Sequence, residues 1–219
     1  MKVRIPPTMR GGLRTLLGSL VVFLVLFPVL DEGLVGRATI VIVSTVIALS
    51  GAYAASRDRR QLAMALLLAM PTVATRWGLV VVPTPAVRAA ALVSSIVFFV
   101  FTILLILDHV LRTDEVTGDE IYGAVSAYIL IGFAWGMAYG LLDLVRPDSI
   151  RSVGGPLVPG DYFYFSFITL MTVGYGDMYP VGPVARSLAI VEAMVGVIFV
   201  AVLIGRLVGL HAGRPRRQT

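Results

Sequence analysis

The stretch that decides the fold is Thr169-Leu-Met-Thr-Val-Gly-Tyr-Gly-Asp-Met-Tyr-Pro180. A short apolar run, residues 162–171, leads into it, and a longer apolar run, 184–210, follows it. Gly174 and Gly176 allow positive φ values at little steric cost, so this backbone need be neither helix nor strand. The leading run is too short to cross a bilayer, which takes about 20 residues. The pattern predicts a re-entrant helix and loop, which are tolerated only where protein buries them. The simpler alternative is a glycine-rich turn between two membrane helices.

Residues 172–177, Thr-Val-Gly-Tyr-Gly-Asp, resemble the selectivity filter of the potassium-channel family. The resemblance is specific over residues 160–210 and looser over 117–159. It implies that a ring of backbone carbonyls replaces the water shell of K⁺, the permeant ion, and that the Thr172 hydroxyl closes the innermost site. Because one copy supplies one wall, it also implies a homotetramer. The implied ion-binding residues are Thr172, Val173, Gly174, Tyr175 and Gly176, with K⁺ held by the carbonyls of the first four.

The composition is that of an integral membrane protein. Of the 219 residues 58% are hydrophobic and only 14% are charged, and the mean hydropathy is +0.90. The net charge of +5 is compatible with nucleic-acid binding, but the basic residues flank apolar segments, so membrane topology explains them better and no nucleic-acid partner is expected. The chain has no cysteine, which excludes disulfides and thiolate metal sites.

The hydropathy pattern predicts six transmembrane helices, an all-α membrane protein in contact with membrane lipids. The predicted spans are 13–30, 38–55, 61–82, 86–107, 120–145 and 184–210. Twelve of the 18 Lys and Arg residues fall on the side that holds both termini. The positive-inside rule therefore predicts a multi-pass protein of the cell's inner (plasma) membrane, with both termini in the cytoplasm and the filter mouth outside.

These spans define five regions. Residues 1–12 and 211–219 are predicted as cytoplasmic termini, 13–107 as a four-helix domain of voltage-sensor-like topology, 108–119 as a cytoplasmic linker and 120–210 as the pore domain. The pore domain is expected to contain an outer helix, a turret, the pore helix, the filter and an inner helix. Nothing after it has the length of a ligand-binding domain, so gating is left to the membrane, the filter, pH or an unknown regulator.

The fourth predicted span lacks the charges of a voltage sensor. Voltage-gated relatives carry an arginine at every third position there, and each charge moved is worth about 2.3 kcal/mol per 100 mV. This span has Arg88 at its outer end and then no charged residue up to Leu107. The channel is therefore expected not to be strongly voltage-gated. Arg76, in the third span, has two interpretations. It is either a field-sensing or ion-pairing charge, or a side chain that reaches the outer headgroups, and the second is preferred.

The predicted linker is acidic, against the trend of cytoplasmic loops. It contains Asp108, His109, Asp114 and Glu115, for which a proton- or cation-sensing role and a solvated charged loop are the two interpretations. The helix after it carries Gly132, Gly136 and Gly140 on one face, a spacing that favours close packing. The predicted partner of this glycine face is the sixth helix or the four-helix domain.

Four residues are predicted to support the filter: Tyr164, Thr169, Asp177 and Glu192. Tyr164 lies where many relatives have a tryptophan that bonds the aspartate after the filter, so the resemblance predicts a Tyr164–Asp177 contact. Glu192 lies inside an apolar helix, where a charge is expensive and by default functional. It is expected to accept hydrogen bonds from pore-helix hydroxyls such as Thr169 or Ser166. The alternatives are a carboxylate that faces the cavity and concentrates cations, and a protonated carboxyl that satisfies helix backbone.

Gly196 lies where family members often have a hinge glycine. It is a candidate gating hinge, and a glycine packed against the pore helix is the alternative. The rival functions are a voltage-gated potassium channel, which the fourth span argues against, and a non-conducting regulatory channel subunit. No arrangement of a nucleophile with a base and no cluster of metal ligands suggests an enzyme.

Overall fold

The computed structural model describes residues 7–26, 34–55, 58–112 and 118–212. These residues form seven α-helices and two short strands. In chain order they are α1 (Pro7–Leu26), α2 (Leu34–Ala55), α3 (Arg59–Val81), α4 (Pro85–Arg112), α5 (Gly118–Val145), β1 (Ile150–Ser152), α6 (Pro159–Leu170), β2 (Met178–Pro180) and α7 (Gly182–Ala212).

The helices follow the apolar segments of the sequence. Each predicted span and the predicted pore helix corresponds to one helix, although residues 27–30 of the first span lie outside the described residues. Within the described ranges, α3, α4, α5 and α7 are long and apolar enough to cross a membrane, whereas α1 and α2 contain shorter apolar stretches, Gly12–Leu26 and Val41–Tyr53. A multi-pass α-helical membrane protein is therefore confirmed, and the count of six spans stays a prediction.

The regular structure of the described residues is α-helical, as predicted, apart from two strands of three residues each. The turret, residues 143–160, contributes β1, which pairs antiparallel with β2 directly after the filter. Arg151 lies opposite Tyr179 in this pairing. The strands are three residues each, too short for an alternating pattern to stand out from a glycine- and proline-rich loop.

Helix α5 is the centre of the fold. It is apolar on every side, which is typical of a helix enclosed by others, and it packs against α1, α4, α6 and α7. At one end, the position of a Cβ on Gly123 would lie 3.1 Å from Val110 Cγ2 of α4 and 3.5 Å from Leu13 Cδ1 of α1. The four-helix domain thus packs on the outer helix of its own chain, a point that the sequence left open.

Both ends of the predicted linker 108–119 are helical. Helix α4 continues to Arg112 and α5 begins at Gly118, so only residues 113–117 remain between them, and these lie outside the described residues. Asp108 pairs with Arg112 one turn later, which favours continuation of the helix beyond its apolar part.

Candidate ion-conduction site

The loop after α6 has an alternating backbone. Thr172, Gly174 and Gly176 have φ values of 55°, 53° and 82°, whereas Val173 and Tyr175, between them, are not in the positive region. In an extended strand successive carbonyls point to opposite sides, and alternation with left-handed residues turns them to one side. Thr172 is one of two non-glycine residues with positive φ in the described chain. Such a conformation is costly and tends to be retained at functional sites.

The amide groups of this loop face α6. The N–H groups of Val173 and Gly174 donate to the Ile168 carbonyl at 2.8 and 3.2 Å, and that of Thr172 donates to the Thr169 carbonyl at 2.9 Å. Over the described residues, none of the carbonyls from Thr172 to Gly176 accepts a backbone hydrogen bond. The loop therefore has a donor side satisfied by the pore helix and an acceptor side with unused lone pairs, which is the chemistry needed to replace cation hydration.

The loop is exposed in the single chain. Every residue from Met171 to Asp177 is exposed, and the Tyr175 side chain reaches 73%. The far end of the loop is held by the turret, since Val153 N donates to the Asp177 carbonyl at 2.9 Å next to the β1–β2 pair. The predicted Tyr164–Asp177 contact is present, with Tyr164 OH donating to Asp177 Oδ2 at 2.8 Å.

The pore helix begins with a cap. The Asp161 carboxylate accepts a hydrogen bond from Val158 N at 2.8 Å, with Pro159 in the first turn, an arrangement that suits a helix N-terminus. Asp143, at the end of α5, was missed by sequence reasoning. Its carboxylate accepts from Tyr162 OH of the pore helix at 2.7 Å and from Ser149 N of the turret at 2.9 Å. One carboxylate thereby joins the outer helix, the turret and the pore helix.

The glycine face of α5 packs against the pore helix. The position of a Cβ on Gly132 would lie 2.5 Å from Phe167 Cε1, and that on Gly136 would lie 2.5 Å from Phe163 Cδ1 and 3.0 Å from Phe163 Cα. Gly140 is in ordinary contact with Tyr162. The closest partner of this face is therefore the pore helix α6, which was not predicted. The predicted four-helix domain is reached only at Gly140, whose Cβ position also lies 3.9 Å from Leu92 Cδ2 of α4. The aromatic side chains that precede the filter fill the surface that the glycines leave open.

Glu192 of α7 lies behind the filter with no accessible surface. Its Oε1 is 2.5 Å from Ser166 Oγ, so the predicted Ser166 contact is present. Its Oε2 accepts from Tyr139 OH of α5 at 2.6 Å, a partner that was not predicted. Within this chain Thr169 is not a partner of Glu192, because the Thr169 hydroxyl donates to the Phe165 carbonyl of its own helix at 2.7 Å. The burial of Glu192 and its contact with Ser166 agree with the expected position against the pore helix, and its role stays a prediction.

Gly196, one turn beyond Glu192, is packed against the pore helix. The position of a Cβ there would lie only 2.0 Å from the carbonyl oxygen of Leu170, the last residue of α6. Helix α7 runs without a break from Gly182 to Ala212. The packing alternative is therefore confirmed, and the hinge stays a prediction.

The chain resembles known channels over this region. Residues 127–210 match the family model described as "Ion channel". Protein LctB of Geobacillus stearothermophilus is 36% identical over 104 residues, which cover 44% of this chain and 75% of that protein. The inward rectifier potassium channel Kirbac3.1 of Paramagnetospirillum magnetotacticum is 45% identical over 79 residues, or 34% of this chain and 24% of that channel. The voltage-gated potassium channel of Aeropyrum pernix is 27% identical over 92 residues, or 42% of this chain and 28% of that channel.

The chain belongs to the potassium-channel family. No solved structure matches it. The prediction that it is not an enzyme is confirmed, because the matched family is one of ion channels.

This potassium-channel family member has an unusual cation in its third helix. The Arg76 Nη2 atom lies 3.5 Å from Ser95 Oγ of α4 and 3.7 Å from Met137 Sδ of α5, and its Nε is inaccessible and without a hydrogen-bond partner among the described residues. The preferred interpretation, a side chain reaching the headgroups, is therefore wrong. The guanidinium lies between helices, and no described carboxylate pairs with it.

The C-terminal end of α4 and the N-terminal end of α5 carry buried ionisable groups. His109, Asp119 and Glu120 are all less than 7% exposed, and Arg14 of α1 lies 3.6 Å from the Asp119 carboxylate. Arg206 of α7 donates to the Leu111 carbonyl at the end of α4. A solvated loop is thus the wrong description for His109. Of the other three residues of the sensor hypothesis, Asp108 pairs with Arg112, and Asp114 and Glu115 lie outside the described residues.

Proposed function

We propose that four copies of this chain surround a K⁺-selective pore and that K⁺ crosses it passively between the carbonyls of residues 172–175. The observation that carries this proposal is the alternating backbone of residues 172–176. The N–H groups of residues 172–174 donate to the pore helix, and over the described residues the carbonyls of 172–176 accept no backbone hydrogen bond. The relatives named as potassium channels support K⁺ as the permeant ion. The C-terminal end of α6 adds a partial negative charge near the inner end of the loop, which favours a cation.

The exposure of the filter and of α7 supports the tetramer. Helix α7 is the least buried of the four candidate spans. Its exposed large apolar side chains include Ile190, Met194, Val197, Ile198, Val202 and Ile204. Lipid tails can cover the apolar side chains of such a helix. They cannot partner the exposed carbonyls of the filter beside it, because a lipid tail offers neither a hydrogen-bond donor nor a cation. Neighbouring copies around a central ion pathway satisfy both.

The fourth helix supports weak voltage dependence. Apart from the last turn of α4, which holds His109 and Arg112, its one basic residue is Arg88, since residues 89–107 carry no charge. Arg76 faces α4 and α5 from α3, and a single charge of that kind supplies far less than the several charges of a voltage sensor. The proposed arrangement has six spans, both termini in the cytoplasm and the filter mouth outside the plasma membrane.

The test is ion flux through the purified protein in liposomes, with K⁺ and Na⁺ gradients compared and barium added as a blocker. K⁺ flux well above Na⁺ flux, and blocked by barium, is the expected result. Equal K⁺ and Na⁺ flux would contradict the filter, and a steep conductance–voltage curve would contradict weak voltage dependence. A cross-linking ladder that stops at the dimer would contradict the tetramer.

A further inference from the structure

Three short oxygen–oxygen contacts join α5, α6 and α7 behind the filter. Ser166 Oγ lies 2.5 Å from Glu192 Oε1 and 2.7 Å from the Gly132 carbonyl oxygen, and Tyr139 OH lies 2.6 Å from Glu192 Oε2. The side chains of Tyr139, Ser166 and Glu192 all have 0% accessible surface. At such distances, and with no access to water, each contact needs its own proton.

The hydroxyl groups alone cannot supply these protons. Tyr139 and Ser166 carry one proton each, and the Gly132 carbonyl and an ionised carboxylate can only accept. If Glu192 were ionised, Ser166 would donate either to the carboxylate or to Gly132, and the other contact would place two lone pairs together. A proton on Glu192 Oε1 removes the conflict. Glu192 then donates to Ser166, Ser166 donates to Gly132, and Tyr139 donates to Glu192 Oε2.

The charges around Glu192 also favour a protonated carboxyl. Its hydrogen-bond partners are hydroxyl groups, and no Lys, Arg or His among the described residues pairs with it. The titratable groups that face it are the phenols of Tyr139 and Tyr128, both on α5. No Asp, Glu, Lys or Arg in the described parts of α6 and α7 is bonded to it. An ionised carboxylate buried without a cation is strongly unfavourable, whereas a neutral acid with two hydrogen bonds is not.

We propose that Glu192 is a neutral carboxylic acid that donates to Ser166, and that this chain of hydrogen bonds is a proton-dependent clamp on the pore helix. Loss of the proton at high pH turns Ser166 toward the carboxylate and breaks its bond to Gly132. The pore helix then loses one of its attachments to α5, only six residues before the first filter residue. The effect on conduction rests on the proposed function, but the protonation of Glu192 does not.

The first experiment measures protonation without ion flux. Glutamine has the shape of the neutral acid and keeps one donor and one acceptor, so Glu192→Gln should fold and should be about as stable as the wild type at the acidic end, near pH 5. Infrared difference spectra between the two proteins should show a protonated carboxyl stretch that the variant lacks. The matched control is Glu120→Gln, which removes another buried glutamate and should keep the Glu192 band.

The second experiment measures thermal unfolding from about pH 5 to about pH 9. A carboxyl that is neutral when folded and ionised when unfolded makes the folded state bind the extra proton, so wild-type stability should fall as pH rises. The unfolding equilibrium constant should rise by up to about tenfold per pH unit per subunit, and Glu192→Gln should lack this component. A flat wild-type profile, or a large loss of stability in Glu192→Gln at the acidic end, would overturn the proposal.

K⁺ flux then tests the effect on the filter. Wild-type flux should fall at the alkaline end, and the Glu192→Gln variant should keep its flux there. Equal alkaline loss in both proteins would overturn the clamp's role in conduction. Absence of wild-type flux at every pH would instead overturn the proposed function, and the infrared band and the stability profile would still decide the protonation of Glu192.

Discussion

Replacing Gly196 with alanine should push the pore helix away from α7. The new Cβ would lie 2.0 Å from the Leu170 carbonyl oxygen and 3.0 Å from the Leu170 carbonyl carbon. Since non-bonded heavy atoms settle at roughly 3.5 Å, the two backbones must separate by more than about 1 Å. Leu170 immediately precedes the turn into the filter, so the displacement should reach Thr172 directly.

The energy follows from two opposing effects. Alanine is better than glycine in a helix by about 1 kcal/mol, while overpacking costs about 1–3 kcal/mol and more where the obstacle is backbone. We expect a net loss of about 1–2 kcal/mol per subunit, read as a lower unfolding temperature and reduced K⁺ over Na⁺ selectivity. Gly205 is the matched control on the same helix, because no heavy atom lies within 4 Å of its Cβ position. Gly205→Ala should be neutral or slightly stabilising.

A second variant separates packing from a hinge. Leu170→Ala removes the Cδ1 atom that lies 3.2 Å from the Gly196 Cβ position but leaves the carbonyl at 2.0 Å, so it should not rescue Gly196→Ala. If Gly196→Ala were as stable and selective as Gly205→Ala and changed only the fraction of open channels, the packing argument would be refuted and a hinge supported.

Three further changes test other parts of the site. Tyr164→Phe removes the 2.8 Å bond to Asp177, worth about 0.5–1.5 kcal/mol, and should speed the decay of K⁺ current; an unchanged decay would contradict this support. Gly174→Ala forces alanine to a φ of 53° and should abolish selectivity in the flux assay, whereas Gly155→Ala, at a φ of 115° in the turret, should keep it. Arg76→Leu removes an interhelical cation with no carboxylate partner among the described residues, so thermal unfolding should shift upward; a downward shift would mean that the cation has a partner.

The helices could be predicted because the bilayer sets their length and composition. The predicted ends of α3 and α5 are within two residues of the observed ones at both ends. The C-terminal end of α4 was predicted at residue 107 and lies at Arg112. Hydropathy shows where a helix leaves the apolar layer of the membrane, and the helix itself can continue beyond that point. Beyond Leu107 the Asp108–Arg112 pair keeps the backbone helical in a polar setting.

The filter was predictable for a different reason. Its glycines and its resemblance to a known family lie in one short stretch, and the Tyr164–Asp177 contact follows from the same resemblance. The contacts of Tyr139 and Asp143 join residues 53 and 19 positions apart, and no local pattern indicates such pairs. One signal was available for Tyr139, which lies seven residues after Gly132 and so on the glycine face of α5.

The position of Gly132 shows why the filter's supports depend on one another. Because Gly132 has no Cβ, the Phe167 ring can come close to it, and Phe167 Cε1 lies only 2.5 Å from where that Cβ would be. The same close approach of the two helices brings Ser166 Oγ within 2.7 Å of the Gly132 carbonyl oxygen. A larger residue at 132 would therefore lengthen the Ser166 bond at the same time as it displaced the aromatic ring. Because Ser166 also contacts Glu192, the displacement would reach α7 through the same hydroxyl. The glycine face of α5 and the acid of α7 are in this sense one support, and the pore helix cannot loosen from one without loosening from the other.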